Sequence, residues 1–65
     1  MLTLTAKTFS KAAKLEIKTH FPTATAFRKR HVPAIGYVYF IKNIKGETIA
    51  KCYKLNGYMV CEGTK

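Results

Sequence analysis

The chain has 65 residues, of which twelve are Lys or Arg and three are acidic, so its formal net charge is +9. A chain of this length has room for one hydrophobic core, and its 48% hydrophobic content, with four Phe and four Tyr, excludes intrinsic disorder. We therefore expect one small basic domain over residues 1–65, whose charge predicts an anionic partner: nucleic acid, a nucleoprotein complex or an acidic protein.

The first part of the sequence predicts a strand followed by a helix. Residues 2–7 alternate apolar and polar side chains, which is the period-two pattern of a half-buried strand. Ser10 can cap a helix that continues to about His20, and Pro22 prevents further helical turns. At about 100° per residue, three lysines fall on one side of this helix: Lys11, Lys14 and Lys18.

The rest of the sequence predicts four strands. Residues 23–32 are rich in Thr, Phe and Val and stop before Pro33, and we expect them at an edge of the sheet. Residues 35–42 give the strongest strand signal, because nearly all of them are β-branched or aromatic. Residues 48–55 and 58–62 complete an antiparallel meander. The predicted fold class is α+β, with one helix packed on an antiparallel sheet of four to five strands in the order β-α-β-β-β-β.

The Asn56-Gly57 dipeptide predicts how the last two strands pair. It suits a two-residue type I′ turn, which places Cys52 opposite Cys61 at a non-hydrogen-bonded position, where Cα atoms approach to about 4.5 Å. A disulfide can span that distance. Disulfides are rare in a reducing cytoplasm, so we expect two packed thiols, with a disulfide as the minor alternative.

A second turn decides which side chains share a face of the sheet. Asn43-Ile44-Lys45-Gly46 predicts a type I turn with a glycine bulge, which pairs Ile41 with Ile49 and Tyr39 with Lys51. Four tyrosines then share one face with Lys51: Tyr37, Tyr39, Tyr53 and Tyr58. The helix covers the opposite face, which includes Val38 and Phe40, so the tyrosine face is left to water, a partner or a second copy of the chain. If this loop were one residue longer or shorter, Tyr37 and Tyr39 would lie on the helix side of the sheet instead.

The candidate binding residues are basic or aromatic. In a strand, Arg28 and Arg30 point one way and Lys29 the other; guanidinium forks suit phosphates, and the alternative role of this run is protection of an edge strand. Tyrosines beside a lysine can stack unpaired bases, or form a protein interface, or be plain surface packing. The helix lysines could follow a phosphate backbone or form only a solvated face. The predicted partner-binding residues are Lys11, Lys14, Lys18, Arg28, Lys29, Arg30, Tyr37, Tyr39, Lys51, Tyr53 and Tyr58.

Catalytic, metal and membrane signals are missing from the sequence. It contains no Asp, three scattered Glu, no glycine-rich phosphate loop, and only two Cys and two His. No apolar run approaches the length of about 18 residues that spans a bilayer, and residues 1–7 do not have the pattern of a signal peptide. We therefore expect a cytoplasmic, non-enzymatic protein that needs no cofactor and binds no membrane, either a monomer or a homodimer through the tyrosine face.

The opening of the chain follows a strand-helix-sheet pattern, carried by Leu4-Thr5-Ala6, by Ser10 with Ala12-Ala13-Lys14, and by Phe21 and Thr25. In a small basic chain this order resembles phage-encoded inhibitor proteins, including some anti-CRISPR proteins. The resemblance covers the first 25 residues. It implies a protein of the host cytoplasm that blocks a nucleic-acid-handling complex. Two functions therefore follow from the sequence: a binding module for nucleic acid or nucleoprotein, or an inhibitor that docks on a host protein or ribonucleoprotein defence complex.

Overall fold

The computed structural model describes residues 2–63, which form one helix and a five-stranded antiparallel sheet. The elements in chain order are β1 (Leu2–Thr3), α1 (Lys11–His20), β2 (Ala26–Val32), β3 (Gly36–Lys42), β4 (Thr48–Leu55) and β5 (Tyr58–Gly63). The strands lie side by side in the order β1-β5-β4-β3-β2. The α+β class and the element order predicted from the sequence are confirmed, and so is the position of the second strand at an edge.

The helix begins and ends where its local signals indicate. The Ser10 hydroxyl accepts a hydrogen bond from the Ala13 N–H, and the chain leaves the helix after His20, where the Phe21 N–H donates to the carbonyl of Ile17. Ala13 and Ile17 are fully buried against the sheet. The core therefore lies between α1 and one face of the sheet, and it includes Leu4, Ala24, Ile41, Ala50, Cys52, Met59 and Cys61.

The first strand is shorter than its alternating pattern predicts. β1 covers only Leu2–Thr3, although the Leu4 N–H still donates to the carbonyl of Met59 at 2.7 Å. Beyond that point the Glu16 carboxylate accepts the N–H groups of Thr5 and Ala6, each at 2.9 Å. These bonds tie the backbone to α1 instead of β5, so the predicted strand over residues 2–7 stops early.

The Asn56-Gly57 turn forms as predicted, with φ of 51° at Asn56 and 83° at Gly57, the left-handed values that a type I′ turn requires. Cys52 lies opposite Cys61, with 4.1 Å between the Cα atoms, and the two sulfurs are bonded as a disulfide. The expectation of two packed thiols is therefore wrong for this structure. The physical reason is proximity, because a non-hydrogen-bonded antiparallel pair holds two side chains closer than any other sheet position.

A bulge in β4 changes the predicted pairing of β3. Lys42 lies opposite Thr48, as the turn between these strands predicts. Ile41, however, lies opposite Ala50 instead of Ile49, because Ile49 is an extra residue in β4. A shift of one residue moves every side chain of a strand to the other face. All of β3 is consequently reversed relative to the prediction.

The four tyrosines therefore do not share one face. Tyr37 and Tyr39 lie on the side covered by α1, whereas Tyr53 and Tyr58 lie on the other side. The charged residues of β2 explain which register is adopted. Because β2 is paired with β3, reversing the faces of β3 also reverses the faces of β2. In the predicted register Arg28 would replace Phe27 beneath the helix, and burying a guanidinium without a carboxylate partner is costly.

Candidate nucleic-acid interface

The candidate interface is the face of the sheet opposite α1, which we call the open face. The single helix among residues 2–63 packs on the other side, so no helix covers this face, although Val38 and Val60 in its middle are buried by their neighbours. Alternation along the strands and the observed pairing bring four strands together here. Their side chains are Arg28, Arg30 and Val32 from β2, Val38, Phe40 and Lys42 from β3, Lys51, Tyr53 and Leu55 from β4, and Tyr58, Val60 and Glu62 from β5.

The open face is strongly positive. It carries four cations: Arg28, Arg30, Lys42 and Lys51. Its one acid is Glu62, whose carboxylate lies 3.8 Å from the Lys51 ammonium group. Both side chains of this pair are partly exposed, so water and salt screen their attraction. Among the residues that the structure describes, no carboxylate lies within 4 Å of the other three cations, and their field is directed at solvent.

The cations surround Phe40. In the sheet this residue lies between Arg28 on β2 and Lys51 on β4. An open hollow of about 470 Å³ is formed beside the ring, and it is lined by Arg28, Lys29, Arg30, Phe40, Lys42 and Thr48. We call it the basic hollow. Guanidinium and ammonium groups next to a half-buried aromatic ring that lines a hollow match the two parts of a nucleotide, its phosphate and its base.

A second hollow of about 270 Å³ lies on the same face and shares Phe40 as a wall. Its lining is mostly apolar, and we call it the apolar hollow: Val32, Ile35, Val38, Phe40, Lys51 and Tyr53. Ile35 reaches it from the loop between β2 and β3 and is 53% exposed, whereas Val38 forms a floor that is only 3% exposed. The two hollows share Phe40, and together their lining residues occupy a strip that includes β2, β3 and β4.

The remaining predicted binding residues lie away from this strip. Lys11, Lys14 and Lys18 are exposed along α1, on the opposite side of the sheet. Lys29 also points to that side, where its ammonium group lies 4.3 Å from the centre of the Tyr37 ring. The structure therefore splits the predicted set, with Arg28, Arg30, Lys51, Tyr53 and Tyr58 on the open face and the others around the helix.

Tyr39 packs on the helix side of the sheet. Its half-buried ring stacks on Phe9, with centroids 3.7 Å apart and an interplanar angle of 5°. Phe9 in turn meets Phe27 edge to face at 5.8 Å. The prediction that Tyr39 shares a face with Tyr53 and Tyr58 is wrong, because the reversed β3 packs this ring against the loop before α1. Its part in binding a partner stays a prediction.

Phe40 and Lys42 are the residues that sequence reasoning missed. Both were assigned to the side of the helix or left out because the predicted register ignored the bulge at Ile49. One signal could have found them: Arg28 and Arg30 can only face solvent, and an antiparallel partner strand presents Phe40 on the same face as these arginines. Placing the arginines first would have placed Phe40 with them.

Comparison with known proteins does not add to this geometry, since no protein-family model, curated protein or solved structure matches the chain. Within residues 2–63 there is no cluster of three or more His, Cys, Asp or Glu side chains that could hold a metal ion. The same residues include no helix with the length and apolar content needed to cross a membrane. The open face therefore remains the strongest candidate site.

Proposed function

We propose that the chain is a non-enzymatic module that binds nucleic acid, alone or within a nucleoprotein complex, through phosphate contacts at the open face. One observation carries the proposal: Arg28, Arg30 and Lys42 line one hollow beside Phe40, with no carboxylate of residues 2–63 within 4 Å of them. Guanidinium groups donate two parallel hydrogen bonds to phosphate oxygens. A surface that concentrates such groups without acids is attracted to polyphosphates at long range.

The spacing of the two arginines supports this proposal. They are two residues apart on one strand, so their Cα atoms are separated by about 7 Å along the edge of the sheet. Lys42 lies on the adjacent strand, opposite Ala26. The three groups thus form a row that a flexible phosphate backbone can follow from one cation to the next.

A second candidate is an inhibitor that docks on a host protein or ribonucleoprotein defence complex, the function that the resemblance implies. The observation that favours it is Leu15, which is 69% exposed on α1 beside Lys11 and Lys18. An exposed leucine between lysines suits a protein surface with acidic and apolar groups. This docking surface would use the helix side and not the open face, so the two candidates are separable by substitution.

The test compares two variants that each remove two positive charges. Binding of labelled single-stranded and duplex oligonucleotides is measured by fluorescence anisotropy over a range of salt concentrations. Arg28→Gln/Arg30→Gln should weaken binding and reduce the salt slope by about 1.4 for a single strand, since each lost phosphate contact is worth about 0.7. The matched control, Lys11→Gln/Lys18→Gln, should keep most of the slope.

Equal losses in both variants would mean that only total charge matters and would contradict an open-face site. Binding by the unmodified chain that disappears at about 0.15 M salt, where screening is already strong, would also contradict the proposal. In that case the docking candidate predicts a defined protein partner, whose binding is lost in Leu15→Lys and kept in Arg28→Gln/Arg30→Gln.

A further inference from the structure

The open face has two hollows that meet at one aromatic wall, and they differ in chemistry. The basic hollow has cations on its rim, and the apolar hollow has aliphatic and aromatic walls. We propose that the pair is a site for one unpaired nucleotide, with the base in the apolar hollow and its phosphate in the basic hollow. This inference rests on the proposed function and adds to it a preference for single strands over duplexes.

The walls of the apolar hollow include two aromatic rings on neighbouring strands. Phe40 lies opposite Lys51, and Tyr53 lies opposite Val38, so the two residues are diagonal neighbours across β3 and β4. The backbones of diagonal neighbours are about 7–8 Å apart, which keeps aromatic side chains within reach of one another. Both rings line the hollow, and a base that enters it has two aromatic rings beside it on which it can stack.

The floor and rim of the hollow also fit a base. Val38 closes the bottom and is 3% exposed, while Ile35 stands at the rim and is 53% exposed. Among residues 2–63, none of those that line either hollow is acidic. Lys51 is the charged group in the apolar hollow, and it already pairs with Glu62 at 3.8 Å. The cations left for the phosphate are therefore those of the basic hollow.

Phe40 links the two parts of the proposed site. It lines both hollows and lies directly opposite Arg28 across β2 and β3. Neighbouring strands are about 4.8 Å apart, so a base held against the Phe40 ring has its phosphate within reach of the Arg28 side chain. In a duplex the bases are paired and stacked, and none can enter the hollow. A duplex would therefore use only the cations.

The experiment uses three probes with the same number of phosphates: a single-stranded oligonucleotide, the same backbone with abasic sites, and the duplex. Dissociation constants are measured by anisotropy at one salt concentration. We expect the unmodified chain to bind the single strand roughly tenfold more tightly than the abasic strand, the lower part of the range for base stacking on an aromatic ring. This comparison needs no substitution, so it stays informative whatever the variants do.

Two variants assign the effect to the hollow. Tyr53→Leu should lower the ratio of single-strand to abasic affinity toward one, because the base loses an aromatic wall of the apolar hollow. Tyr37→Leu, the matched loss of a tyrosine ring on the other side of the sheet, should leave the ratio as it is.

Equal binding of the base-bearing and abasic strands would overturn the nucleotide site while leaving phosphate binding at the open face intact. Failure to bind all three probes would instead reject the proposed function itself. A ratio that survives in Tyr53→Leu but falls in Tyr37→Leu would move the site to the other face and contradict the inference.

Discussion

Reduction of the Cys52–Cys61 disulfide should lower the stability of the domain by a measurable amount. The two residues are nine positions apart, and closing a loop of that length in the unfolded chain removes entropy worth about 2.6 kcal/mol at 25 °C. For a domain of this size, 1 kcal/mol shifts the melting temperature by roughly 4–8 °C. The oxidised protein should therefore melt roughly 10–20 °C above the reduced protein.

The assay is thermal unfolding followed by circular dichroism, with and without a phosphine reductant, on samples whose intact mass establishes the state of the two cysteines. The Cys52→Ala/Cys61→Ala variant is the control, and its melting temperature should not respond to reductant. A difference below about 4 °C, the shift expected for 1 kcal/mol, between mass-verified oxidised and reduced protein would refute the reasoning. It would show that the hairpin is already closed in the unfolded chain without the disulfide.

Two further predictions concern local features of the fold. Hydrogen bonds from the backbone N–H groups of Thr5 and Ala6 lower the pKa of Glu16 in the folded protein. The Glu16 carboxylate therefore stabilises the fold at pH values above the usual pKa of a glutamate, and this stabilisation is lost as the pH falls through the lowered pKa. Glu16→Gln should reduce this acid dependence of the melting temperature, and an unchanged profile would contradict it. Deletion of Ile49 should prevent cooperative folding, because it turns Arg28 toward α1. The control, Ile49→Val, should lower the free energy of unfolding by only about 0.5–1.5 kcal/mol. A deletion variant with a normal melting curve would show that Ile49 does not set the register of β3.

Signals that act over a few residues were readable from the sequence. The Ser10 cap, the Pro22 stop and the Asn56-Gly57 turn each depend on neighbouring backbone geometry, and the structure confirms the helix bounds and the β4–β5 pairing that follow from them. The disulfide partners were also placed opposite each other correctly. Their oxidation state was not, because the expectation of two thiols rested on a reducing compartment and gave less weight to the short distance between the paired residues.

The face of β3 was not readable from β3 itself, because both of its sides are apolar. Tyr37, Tyr39 and Ile41 alternate with Val38 and Phe40, and either set could cover a core. One bulged residue in β4, Ile49, determines which of these sets faces the core. The residues on either side of Ile49, Thr48 and Ala50, give no turn or glycine signal that indicates a bulge. The candidate site was therefore only partly predicted: Arg28 and Arg30 were found from their chemistry, whereas Phe40 depended on the register.

A cytoplasmic location stays a prediction, and the disulfide gives a direct way to test it. Disulfides persist in oxidising compartments and are kept reduced in most cytosols. Trapping free thiols in intact cells before lysis, followed by mass measurement of the chain, would distinguish the two states of Cys52 and Cys61. Trapped thiols agree with a cytoplasmic protein, and a disulfide present at the moment of trapping contradicts it.

The extra residue at Ile49 has a consequence for how relatives of this chain should be compared. A relative without that residue could align almost perfectly with this chain, yet the outward side of its β3 would carry a pair of tyrosines in place of Phe40, and it could fold only if Arg28 were also replaced. Percentage identity would rate them as near duplicates. Insertions and deletions in β4 are therefore more informative about ligand preference than any count of substitutions. An alignment gap at this position indicates that different side chains of β3 form the open face.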